Sequence, residues 1–231
     1  MNLLELLPWK DWLALVVLFG LWAGYALFAR RGARHGQTLL ATTNRYRLRW
    51  MQQTSSRDPR MLDGLITQSL SHTPSFFCST TILIIGGLLA VLGTTEKAAG
   101  LVEDMPFAQT TTVQVLELKL VVMVGIFVYA FFRFSWSMRL YTFVALVIGA
   151  MPSPEAFDAD PAQRQPYIER AATLVANAAE TFNDGLRAYY FSFAALAWFF
   201  SPIAMMVATV LVVEVLYTRE FHSRELAILK G

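Results

Sequence analysis

Residues 114–150 are apolar almost throughout and contain no proline. They nevertheless carry two arginines, within Phe131-Phe132-Arg133-Phe134-Ser135-Trp136-Ser137-Met138-Arg139-Leu140-Tyr141. Residues 120–148 alone make a helix of about 44 Å at 1.5 Å per residue. The hydrocarbon core of a bilayer is only about 30 Å thick. The segment therefore tilts, or runs past the membrane into protein that covers it. In either case Arg133 and Arg139 need partners or water, because a charge at mid-bilayer costs roughly 2.5–3.5 kcal/mol even on insertion scales. If the bilayer ends near Arg133, both side chains snorkel to the inner headgroups, and the apolar stretch 134–148 projects beyond and must be covered. If the span is centred on Arg133, that residue must face a polar seam. The first arrangement, or a tilted compromise, is the working expectation.

The rest of the chain has the same character. Of 231 residues, 55% are hydrophobic and 16% charged, against about 25% charged in soluble domains. Several near-uncharged runs approach or exceed 18 residues, too long for barrel strands and long enough for spanning helices. The expected fold is all-α: a polytopic helical membrane protein with four transmembrane helices and cytosolic amphipathic helices. The spans fall near residues 12–29, 76–93, 114–149 (one long helix) and 188–214, with cytosolic segments 30–75 and 151–187. The single cysteine, Cys78, allows no internal disulfide and belongs to no metal or redox motif.

Orientation follows from the arginines. Segment 30–75 holds eight arginines against two acids, and segments 30–75 and 151–187 together hold eleven arginines. Such an excess marks the cytoplasmic side. Loop 94–113, with one lysine and no arginine, is then external. The expectation is a bacterial inner-membrane protein with both termini outside. Glu5, Lys10 and Asp11 precede the first span and three arginines follow it, which fits an uncleaved anchor rather than a signal peptide.

Two short helices fit in the basic loop. Residues 38–52 gather Leu39, Leu40, Tyr46, Trp50 and Met51 on one side, with Arg45 and Arg49 beside them. This places Arg45, Arg49 and Trp50 at the membrane interface. Asp58-Pro59 reads as the start of the second. Both helices are on the side where the extension of the third span needs a cover. Later, Asn177, Glu180, Asp184 and Arg187 recur at three- and four-residue steps, hence on one stripe. Pro202 is expected to kink the fourth span, and the tail from Tyr217 forms a short external helix.

Four stretches have a shared look: Asn44-Arg45-Tyr46-Arg47-Leu48-Arg49-Trp50-Met51; Phe131 to Arg139; the exit Ile148-Gly149-Ala150-Met151-Pro152; and Asn183-Asp184-Gly185-Leu186-Arg187-Ala188-Tyr189-Tyr190-Phe191 leading to Trp198. In this order they resemble the DUF599 family of bacterial and plant integral membrane proteins, over most of the chain. The resemblance implies a multi-span inner-membrane protein. It carries over no catalytic residue.

The chemistry-bearing candidates are electrostatic. Arg133 and Arg139 on the third helix are expected to pair with Glu180 and Asp184, with Arg187 on the same stripe. The bland account is a set of ion pairs that fixes helix packing. The functional account is a site for an anion or lipid headgroup, because guanidinium matches phosphate or carboxylate bidentately. No metal site is expected, since no histidine stands at a ligand offset from Glu180 and Asp184. No cofactor is expected either: His35, His72 and His222 lie at span edges or in loops, where they do not suit haem ligation. Nothing points to a nucleophile and base, so the leaning is against an enzyme. The reading is a non-catalytic lipid-binding, structural or accessory membrane protein. The alternatives are a small oligomeric transporter or channel with an arginine-lined site, and a membrane enzyme or redox protein acting on a lipid or quinone. The expected partners are membrane lipids and further copies of the chain, and nucleic acid is excluded because the arginines are tethered beside the bilayer. Arg133→Leu should harm folding more than Arg30→Leu, because it strands a buried carboxylate of the acidic seam. Equal melting temperatures of the two variants in detergent would refute this.

Overall fold

The computed structural model describes residues 7–36, 38–95 and 112–230. Of these, 89% are helical and none lies in a strand. Most of the expected loop 94–113 falls outside the described residues. The chain begins with α1 (Trp9–Arg34), α2 (Leu39–Thr54) and α3 (Met61–Leu92). It continues with α4 (Val113–Gly149), α5 (Pro154–Ala159) and α6 (Pro161–Leu196). A 3₁₀ turn, Ala197–Phe199, precedes α7 (Pro202–Phe221) and α8 (Arg224–Lys230). Four segments are long and apolar enough to cross a membrane: residues 9–33, 61–92, 113–149 and 202–230.

The central pair is α4 and α6. On α4 the buried residues Met123, Phe127, Ala130, Phe134, Ser137, Tyr141, Val144 and Ile148 recur at three- and four-residue steps. One stripe thus faces the neighbour although the helix is apolar all round. The facing stripe of α6 is mostly small, including Ala171, Val175, Ala178, Gly185 and Ala188, and small residues let helix backbones approach closely. Gly185 is the tightest point: a Cβ there would stand 2.5 Å from Cε1 of Phe134. Across the same interface Ser137 Oγ donates to the carbonyl of Ala178 at 2.7 Å. α3 packs on α4, while α7 packs on both α1 and α6.

Two cores result. One joins α1, α3, α4, α6 and α7 around Leu18, Phe127, Phe134, Phe191, Trp198 and Met205. The other surrounds the projecting part of α4, where Leu140, Tyr141, Val144 and Ile148 meet Met51 of α2 and Ile168, Ala171 and Val175 of α6. The apolar extension of α4 is therefore covered, as its length requires, by α2 and the first half of α6. Its end is also satisfied. Arg60 Nη1 and Nη2 donate to the carbonyls of Met151 and Pro152 at 2.8 and 2.6 Å, and the Tyr167 hydroxyl donates to Val147 O at 2.7 Å. The last carbonyls of a helix have no intrahelical partner, and these donors supply one.

Several boundaries differ from the sequence reading. The second amphipathic piece of the basic loop is no separate helix. It is the start of α3, which begins at Met61 rather than at Pro59 and continues through Pro74 to Leu92. The fourth span also differs. α6 ends at Leu196, and Pro202 occupies the first turn of a new helix whose N-cap, Ser201, accepts from Ala204 N at 3.0 Å. Ser-Pro is a helix-start signal, and here it ends one helix and opens another instead of kinking a single span. Direction reverses at this turn. Trp198 Nε1 donates to Asp11 Oδ1 at 2.6 Å, near the start of α1, whereas Phe221 packs beside Phe28 and Gly32, near its end. α7 therefore returns toward the basic loop. α8 finishes against α2, with the Tyr46 hydroxyl donating to Leu229 O at 3.2 Å. The start of α1 and the end of α8 thus lie at opposite ends of the bundle, not at the same end as expected. Gly20 and Gly24 have no neighbouring atom within 4 Å of where a Cβ would stand, so no helix among the described residues uses them for close approach. In a Cys78→Ser background, Lys10→Cys and Ser223→Cys should label from opposite sides of sealed membrane vesicles. Labelling of both from one side contradicts the reversal at Pro202.

Candidate functional site

At the junction of the two cores three arginines converge on one carboxylate. Asp184 of α6, 3% exposed, accepts from Arg187 Nη1 on Oδ1 at 2.8 Å and from Arg30 Nη2 on Oδ2 at 3.0 Å. Arg133 of α4 also pairs with Oδ2. Glu180, one turn before Asp184, lies 3.3 Å from Arg30 Nε. The spacing explains the geometry. Asp184 and Arg187 stand three residues apart on one helix face, and Glu180 four residues before. Gly185 lets α4 close on α6, so that Arg133 reaches the carboxylate. Arg30 enters from the last turns of α1. Three guanidinium groups meet two carboxylates, which leaves one positive charge in excess. The buried Nε of Arg133 has no hydrogen-bond partner among the described residues.

The depth of the cluster follows from α1. Asp11, tied to Trp198, marks one end of the bundle. Lys119 marks the same end, its Nζ donating to Trp198 O at 2.9 Å. Arg30 is nineteen residues after Asp11 along the helix, about 28 Å at 1.5 Å per residue. That nearly equals a hydrocarbon core of about 30 Å. The charged cluster thus sits where the first core gives way to the section of α4 wrapped by α2 and α6.

Two openings reach the cluster. A cleft of about 750 Å³ runs between α1 and α4, lined by Phe19, Trp22, Ala26, Gly125, Ile126 and Tyr129, with Arg30 and Asp184 also in its wall. Trp22 closes its inner side, stacked on Phe191 and edge-on to Tyr129. On the other flank a space of about 390 Å³ is bounded by Arg30, Arg133, Trp136, Asn177 and Glu180. The wall of the first is apolar; that of the second is mixed.

Of the residues singled out from the sequence, Arg133, Glu180, Asp184 and Arg187 come together. Arg139 does not. Six residues beyond Arg133, it is turned about 120° around the axis at 3.6 residues per turn. It lies exposed with its guanidinium 5.8 Å from the Phe143 ring. The third cation is instead Arg30, a basic residue closing an apolar run; it pairs with Glu180 and Asp184, so Arg30→Leu strands the same carboxylates as Arg133→Leu and the contrast expected between the two variants loses its basis. Trp50 is half-buried and packs against the second core, and its Nε1 donates to Asp63 Oδ1 at 2.7 Å. Arg45 and Arg49 are exposed on the same helix. Asp63 was missed. It is fully buried and takes donors from Trp50, Thr54 and Arg57, all on Oδ1, and so locks α2 to the start of α3. Among the described residues no three His, Cys, Asp or Glu side chains gather as a metal site would need.

Fold and cluster together define a polytopic α-helical membrane protein with a buried arginine–carboxylate cluster at one edge of its membrane section. The chain belongs to the family "Protein of unknown function, DUF599", whose model matches residues 13–225. No curated protein and no solved structure matches it.

Replacing Asp184 by Asn keeps the shape and removes the shared counter-charge. Breaking a buried pair in this way costs about 3–5 kcal/mol, so Asp184→Asn should lower the melting temperature in detergent sharply. Arg139→Gln should shift stability by less than about 0.5 kcal/mol, as an exposed substitution does.

Proposed function

We propose that the protein is a binder of anionic phospholipid in the bacterial inner membrane, with the basic end of the bundle in the cytosol. One observation carries the reading: an apolar cleft between two membrane-crossing helices leads directly to Arg30 and the cluster behind it. An acyl chain suits the Phe19–Ile126 wall, which is open on the side where α1 and α4 face lipid. A phosphate suits a cluster with one excess positive charge, because guanidinium binds phosphate through paired hydrogen bonds. Basic pockets between spans are a recurrent form of headgroup recognition. The orientation rests on the arginine excess of segment 30–75. In this reading Asp184 and Glu180 hold the arginines in place, and the lipid phosphate takes up the remaining charge.

The test uses protein purified in mild detergent and native mass spectrometry with phosphatidylglycerol or phosphatidylcholine. The wild type should retain phosphatidylglycerol at least about tenfold better, a difference of about 1.4 kcal/mol. Arg30→Gln should abolish the preference. Gly125→Phe should reduce retention of both lipids, since a side chain there projects into open cleft rather than into protein. Equal retention of the two lipids by the wild type, or no effect of Gly125→Phe, would overturn the reading.

A further inference from the structure

Arg187 has a second face, turned away from the lipid-facing cleft. It forms part of the wall of a separate, half-open cavity of about 280 Å³ at the basic end of the bundle, between α1, α2, α6 and α7. Its charged lining comes from Arg47, Arg187, Arg219 and Glu220, with Asn183 and Tyr190 among the neutral polar side chains. Arg187 keeps Asp184 on its far side and stands over the Tyr25 ring. Arg47 and Arg219 have no carboxylate within ion-pair distance among the described residues. Arg47 is half-buried, and its Nη1 donates only to neutral groups, Thr43 Oγ1 at 3.0 Å and Asn44 Oδ1 at 2.5 Å. Burial pulls its pKa below the usual arginine value, a sign that its charge is poorly compensated. Arg219 lies over the Tyr190 ring and bonds the Tyr190 hydroxyl. The one carboxylate in the lining, Glu220, is engaged elsewhere: its Oε1 accepts the Leu40 backbone N–H at 3.1 Å, in the first turn of α2. Arginines on two further helices besides α6 thus line a half-open space in which, among the described residues, the one carboxylate, Glu220, is held by a backbone N–H.

We propose that this cavity is a binding site for a phosphate group, gripped by Arg47, Arg187 and Arg219 and oriented by Asn183. Three forked donors around one small space match the tetrahedral array of phosphate oxygens better than a single carboxylate. The volume suits inorganic phosphate or a small phosphate monoester. The same chemistry fits a phospholipid headgroup entering between α1 and α7. The inference uses residues outside the α1–α4 cleft, Arg187 being shared only with the charged cluster, and stands whether or not that cleft holds lipid.

The experiment is isothermal titration of the full chain, in phosphatidylcholine nanodiscs, with inorganic phosphate. In parallel, the phospholipid that co-purifies with each variant is measured. A free-anion site gives saturable binding that Arg47→Gln and Arg219→Gln each weaken at least tenfold, while Arg139→Gln, exposed and outside both sites, stays within twofold of wild type. A headgroup site gives co-purifying phospholipid that survives Arg30→Gln and is lost in Arg219→Gln. Either result supports the phosphate site and names its source. Arg219 is exposed, so Arg219→Gln keeps the test usable if Arg47→Gln does not fold, and Arg219→Lys should recover part of the binding. Phosphate binding indifferent to both arginines would overturn the proposal. So would a wild type that takes neither phosphate nor an Arg219-dependent lipid.

Discussion

The structure depends on a single carboxylate. Asp184 is almost wholly removed from solvent and is held by arginines from α1, α4 and its own helix. An arginine near the hydrocarbon is costly alone, and a buried carboxylate without a partner is equally so. Together they form a knot that fixes the rotation of α4, the depth of α1 and the register of α6. Neighbouring contacts hold that knot close: the Gly185 contact with Phe134, the Ser137 bond to Ala178, and the Trp22 stack on Phe191.

The opposite end of the bundle has its own smaller solution to the same problem. α6 ends beside the start of α1, which leaves carbonyls to satisfy in an apolar setting. Lys119, buried on α4, donates to one of them, Trp198 O, and Asp11 on α1 takes the Trp198 indole N–H. A helix end, a lysine and a carboxylate thus close the turn from which α7 sets out. Charged residues in the membrane section of this protein are concentrated at these two levels, about 28 Å apart by helical rise.

Much of this could be read from residues, and the failures have physical causes. Span existence was legible because apolar runs of spanning length have few other uses. The acidic seam of α6 was legible because residues at three- and four-residue steps must share a face. Arg139 was misplaced because proximity in sequence was taken for proximity in space, although six residues turn a helix to another side. Pro202 was read as a kink because proline both breaks helices and begins them. What decides is whether the preceding residue caps the next helix, as Ser201 does. Arg30 and Asp63 were not picked out because their partners come from other helices, and no local pattern reports a tertiary pair.

The central claim is that Arg133 and Asp184 are energetically one unit, and a double-mutant cycle measures this directly. Stability of wild type, Arg133→Gln, Asp184→Asn and the double variant would be compared in one detergent. The account predicts a double variant less damaged than the sum of the single ones, with a coupling of about 1–3 kcal/mol, as for residues in one buried charge network. Strictly additive effects would mean that the two side chains meet without depending on each other, and would contradict it.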